Sequence, residues 1–103
     1  MILLSKKTFT EDIQIAKKNG FTVDFLLKDG MIHNTESRKG YRKNQCTLIE
    51  YCRYGTHNNI NKASILFLII CNDGVKGFLS SNYSIHSNKN LMQFALSLKS
   101  KEQ

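Results

Sequence analysis

From Phe21 the chain alternates apolar and polar positions: Phe21, Val23, Phe25 and Leu27 share one face of an extended segment, while Thr22, Asp24 and Lys28 share the other. Asp29-Gly30 follows, a pair suited to a two-residue hairpin loop because both positions accept positive φ, so a second strand is expected to return through Ile32. Residues 34–44 are polar, charged and glycine-containing and read as a loop. Strand character returns in CTLIEYCRY, Cys46–Tyr54, which is rich in β-branched and aromatic residues.

A polar stretch, GTHNNINK, leads into ILFLIIC at residues 65–71, where Ile65, Phe67 and Ile69 alternate with Leu66, Leu68 and Ile70. That strand is apolar on both faces. CNDGVKG comes next, with a lysine between two glycines. A phosphate loop of the Walker type needs a longer glycine-bounded span, then Lys and Ser/Thr, then a helix whose amides face the anion. Here FLSS continues as a strand. The loop is therefore expected to be a hairpin with Asp73-Gly74 at its tip, placing Asn72 opposite Val75, Lys76 opposite Cys71, Ile70 opposite Gly77 and Ile69 opposite Phe78. Gly77 is expected to mark a close approach to the strand.

Two helices flank these strands. Thr8 and Glu11 have the spacing of a capping box, Phe9, Ile13 and Ala16 recur at helical spacing, and Lys17 and Lys18 precede Gly20, predicting a helix over residues 9–19. A second is predicted over residues 89–99, with Asn88 as N-cap and Leu91, Ala95 and Leu98 as its apolar stripe, supported by Met92 and Phe94. The fold class expected is α+β in the order α-ββ-β-ββ-α: an antiparallel sheet of about five strands with both helices on one face.

Two short helices cover one sheet face. The other face of residues 65–71 then needs a long loop or a second copy of the chain, and a homodimer through Leu66, Leu68, Ile70 and Leu79 is expected.

The 103 residues fit a single domain, residues 1–103, and 41% hydrophobic content supplies a core. The longest apolar run is far shorter than the roughly 20 residues of a membrane helix, and the lysines of MILLSKK follow its apolar patch, the reverse of a signal peptide. A cytoplasmic protein with no membrane association is expected. Cys46, Cys52 and Cys71 form no CxxC pair and His33, His57 and His86 are scattered, so reduced structural thiols, no metal site and no cofactor are expected.

The net charge of +7 favours encounters with polyanions and also serves solubility. Its clearest cluster is RKGYRK, residues 38–43. Arg38, Lys39, Arg42, Lys43 and Arg53 are candidates for phosphate contacts, with Tyr41 or Tyr54 to stack on a base. The competing reading of this cluster is a solvated loop.

The segments KKNGFTVDF, YCRYG, ASILFLI and DGVKGFLSSNYSIHS resemble, in order and spacing, a family of small Bacteroidota proteins of about this length, over most of residues 9–88. Members are often labelled phosphoribosylpyrophosphate synthetase although they are far shorter than that enzyme. Such an enzyme needs an acidic pair at the end of an apolar strand to hold magnesium and ribose hydroxyls, then a small-residue phosphate loop, and this chain has neither. The resemblance implies a fold and no reaction. The family's middle strand and following loop are acidic, whereas here only Glu50 is negative in TLIEYCRYGTHNNINK.

Three functions follow from these readings. The first is a non-enzymatic interaction or regulatory module, dimeric through its sheet and open to a further protein partner. The second is nucleic-acid binding through the basic loop. The third is a small nucleotide-handling enzyme, with Cys52 beside His57 or His86 as a thiol-imidazole pair and Asp24 or Glu50 as a base.

Overall fold

The computed structural model describes residues 8–54, 64–82, 93–94 and 97–100. Helix α1, Phe9–Lys18, starts at the expected capping box: Glu11 N–H donates to the Thr8 hydroxyl and Thr8 N–H to the Glu11 carboxylate. It ends in a Schellman arrangement, with Gly20 N–H donating to the Lys17 carbonyl and Phe21 N–H to the Ala16 carbonyl. Phe21 is thereby turned inward against Ala16.

The strands are β1 Val23–Lys28, β2 Met31–Asn34, β3 Gly40–Tyr41, β4 Cys46–Tyr54, β5 Ser64–Cys71, β6 Lys76–Asn82 and β7 Lys99–Ser100. They form one sheet in the order β3-β2-β1-β6-β5-β4-β7. The β1–β2 hairpin turns through Asp29 and Gly30 as expected, at φ 55° and 75°. The long apolar strand is central, between β4 and β6.

Several expectations are corrected. The sheet is mixed, because β1 runs parallel to β6 and β7 parallel to β4. Helix α1 lies over β5 and β6, so the chain leaving it enters the sheet beside β6 in that strand's own direction. The polar loop after β2 contains the short strand β3 and a 3-10 turn, Lys43–Gln45. Buried Asn34 shapes it: its side-chain oxygen accepts from Glu36 N–H and Ser37 N–H, and its carbonyl accepts from Arg38 N–H. The helix expected over residues 89–99 falls largely outside the described residues, but its final residue, Lys99, begins β7. Phe94 and Leu98 pack on the sheet face opposite α1, so the two ends of the chain serve different faces.

The β5–β6 hairpin is also one residue off the expected register. Cys71 N–H donates to the Val75 carbonyl and Gly74 N–H to the Cys71 carbonyl, so the loop holds three residues, Asn72-Asp73-Gly74, with Gly74 at φ 90°. Ile69 therefore pairs with Gly77, Leu68 with Phe78 and Phe67 with Leu79. A one-residue slip exchanges faces. Leu79 joins Phe67 and Ile69 in one cluster, while Leu66 and Leu68 belong to the other, beneath Phe9, Ile13 and Ala16. The residues expected to share a dimer face are divided between the two sides, and Leu66, Leu68 and Leu79 are buried by the chain's own elements.

The second face is closed by curvature. In sheet order β3 and β4 are five gaps apart, which is roughly 24 Å in a flat sheet at ~4.8 Å per gap. Only five residue steps join Tyr41 to Cys46, and even fully extended they reach at most ~18 Å. The sheet has to curl so that β3 folds back toward β4 over the Phe67 face. Tyr41 ends there almost fully buried, its ring edge-on to Phe25 at 6.1 Å. A bulge between Leu48 and Glu50 in β4 lets that strand give Leu48 to the enclosed side and Ile49 and Cys52 to the helix side. Among the described residues no helix is long and apolar enough to cross a membrane.

Candidate functional site

The curl brings the two loops that stood out in the sequence into contact. Asp73, at the tip of the β5–β6 hairpin, accepts from Lys39 Nζ at 2.9 Å and from the Tyr41 hydroxyl at 2.9 Å through Oδ2. Its Oδ1 accepts from Val75 N–H at 3.1 Å, an Asx turn that holds the carboxylate in place. Lys39 also lies over the Tyr41 ring, 5.2 Å from its centroid. Tyr41 and Lys39 come from the β3 edge of the sheet and Asp73 from its centre, so this contact latches the curl shut.

The latch sets the protonation of its members. The Lys39 ammonium first, then Val75 N–H and the Tyr41 hydroxyl, hold the Asp73 carboxyl down at about 2. Burial first, then the hydrogen bond to Asp73 and its negative charge, push Tyr41 up to about 12.

Asp73 titrates lower in the folded than in the unfolded chain, so its contribution to stability is present above the ordinary value of 3.8 and is lost as pH falls through about 2. Tyr41 titrates higher when folded, so its contribution is present below 10.0 and is lost as pH rises through about 12. Urea unfolding followed across both windows is expected to show a falling midpoint in each. In Asp73→Asn the acid fall is expected to be shallower and the highest-titrating tyrosine to come down in ultraviolet titration. Unchanged profiles in that variant would mean that the latch does not form in solution.

Beneath the latch lie two thiols. Cys46 and Cys71 are direct cross-strand partners of β4 and β5, both buried and both free. Cys46 Sγ donates to the Arg42 carbonyl at 3.3 Å. The sequence does not show this pairing because it depends on the register of β4 against β5, two strands separated by a long polar stretch with no tight turn to fix how they align. The one available signal was that Cys46 opens one strand run and Cys71 closes another.

The other candidates are dispersed. Arg38 and Arg42 are exposed, with Arg38 at φ 64°, and Lys43 is exposed with Nζ 5.7 Å from the centroid of the Phe94 ring. Tyr41 is buried and its hydroxyl engaged, so it offers no free ring face for a base. The side chains of Arg53 and Tyr54 lie outside what is described, as do His57 and His86. Cys52 is buried on the helix side opposite Leu66, away from the Cys46–Cys71 pair.

Asp24 and Glu50 stand in one cross-sheet row, Asp24–Phe78–Leu68–Glu50. Three strand gaps put them roughly 14 Å apart across buried side chains, too far to act on one proton. Partial burial raises the Asp24 carboxyl, and Lys17 works against that rise. Among the described residues no group of three or more His, Cys, Asp or Glu could hold a metal ion. Comparison of the chain with family models, curated proteins and solved structures finds no match.

Proposed function

We propose that this protein is a non-enzymatic interaction module that presents the basic loop of residues 38–43 to an acidic protein partner. The observation that carries this reading is the latch itself. Asp73 anchors Lys39 and Tyr41, so the loop is pinned at its middle while Arg38 and Arg42 remain exposed on either side. Cations on a loop already held in place lose less conformational freedom on binding than cations on a free chain. They also face carboxylates with planar, bidentate donors.

An acidic protein surface suits this arrangement better than nucleic acid does. The loop's aromatic ring is turned into the core, which removes base stacking there. Of the groups that suggested an enzyme, Cys52 is used in packing, and Asp24 and Glu50 are held apart.

Fluorescence anisotropy at low salt, with a labelled glutamate-rich peptide and with single- and double-stranded oligonucleotides, tests the proposal. Arg38→Glu with Arg42→Glu is expected to weaken peptide binding about tenfold or more, whereas Lys17→Glu with Lys18→Glu, the same change in net charge, leaves it nearly intact. Equal losses from the two pairs would reduce the effect to overall charge and contradict the proposal. Tighter binding of oligonucleotides, falling steeply with salt, would favour the nucleic-acid reading instead.

A further inference from the structure

We propose that Cys46 and Cys71 form a reversible disulfide, making the start of β4 and the end of β5 a thiol-disulfide site beneath the Asp73 latch. The inference stands on register and is independent of what the basic loop binds. Cys46 and Cys71 face one another directly in an antiparallel pair. The flanking bond runs from Asn72 N–H to the Gln45 carbonyl at 2.8 Å, which makes theirs the non-hydrogen-bonded kind of pair. Such pairs bring Cα atoms to about 4.5 Å, inside the roughly 4.4–6.8 Å that a disulfide spans.

Both side chains belong to the same buried cluster, and each thiol shifts the protonation of the other. Cys52, the third thiol, has Leu66 opposite it and lies on the other face, so it serves as an internal control.

The two thiols are also unlike. Their interaction lowers Cys46 and raises Cys71, and burial raises Cys71 further. Either thiol opens the exchange. With a low-molecular-weight disulfide as oxidant, one protein thiol loses its proton to solvent and its thiolate attacks one of the reagent's sulfurs, the sulfur-sulfur bond breaks, and one small thiolate leaves and takes up a proton. The other protein thiol then loses its proton to solvent and attacks the protein sulfur of the mixed disulfide, expelling the second small thiolate, which is protonated in turn. Two protein thiols are oxidised to one disulfide, and the reagent is reduced to two thiols.

The experiment refolds the reduced full chain from urea in a glutathione redox buffer, so that burial does not limit access, then alkylates it and maps disulfides by mass spectrometry. The wild type and Cys52→Ser are both expected to yield a Cys46–Cys71 link with loss of two hydrogens, Cys52 alkylated in the wild type, and full reversal by dithiothreitol. The oxidised form is expected to melt on the order of 10 °C above the reduced form. A link through Cys52, glutathione adducts that persist on Cys46 or Cys71, or free thiols at both positions under oxidising poise would each overturn the proposal.

Discussion

Gly77→Ala is expected to cost on the order of 3 kcal/mol or more and to lower the melting midpoint by more than about 10 °C. A Cβ at this position would collide with the Val23 carbonyl and with the Phe25 ring. The first is main chain, held in the parallel pairing of β1 with β6, and the second is a core ring packed on Tyr41. Neither can yield without moving β1, and β1 carries the β2–β3 edge that folds over the core. Gly77 is not in the left-handed region, so the loss reflects space alone. Gly30, with nothing near its missing Cβ, separates the two effects: Gly30→Ala there loses only turn conformation. Thermal melts of both variants followed by circular dichroism provide the check.

The second large effect belongs to β5. Phe67→Ala and Leu68→Ala are each expected to destabilise the protein, by about 3–5 and 2–5 kcal/mol respectively. Neighbours in sequence, they enter different cores. Phe67 lies in the enclosed cluster with Phe25, Tyr41, Leu79 and Phe94, and Leu68 lies under α1 with Ala16, Phe21 and Phe78. Both are wholly buried by their own chain, so both losses are expected to be independent of protein concentration. A loss that shrinks as concentration rises would show a second copy covering that face. Leu26, 56% exposed, is the control, and Leu26→Ala is expected to change stability by less than about 1 kcal/mol.

Local chemistry made much of this architecture readable in advance. The Thr8-Glu11 box, the period-two run of Val23, Phe25 and Leu27, the Asp29-Gly30 turn and the strand at Cys46–Tyr54 each follow from a few adjacent residues, and each is found where expected. Phe21, expected to open that run on the same face, is instead held by the helix C-cap and packs on the helix side. The apolar run at residues 65–71 read correctly as a strand apolar on both faces. What it did not reveal was the cover. One face is shielded by α1, and the other by the curl of the sheet and by Phe94 and Leu98. Curl depends on long-range pairing, and nothing local states that β1 lies parallel to β6.

The candidate site was legible in parts. RKGYRK and CNDGVKG both stood out, but each was read alone, and their union through Tyr41, Lys39 and Asp73 spans more than thirty residues of sequence. The hairpin register failed for a local reason. Asp-Gly fits a two-residue turn, yet with Asn72 before it and the Asp73 carboxylate free to bind Val75 N–H, the three-residue loop wins. That single residue of register decides which side Leu79 takes.

The closed curl is tested most directly by nuclear Overhauser contacts of the Tyr41 ring. Contacts from its ring protons to Asp73 or Val75 of the distant hairpin, beside those to Phe25, are the predicted result. A ring that meets only its sheet neighbours Ile32 and Phe25 would describe an open sheet, and the latch, the enclosed core and the pinned basic loop would fall together.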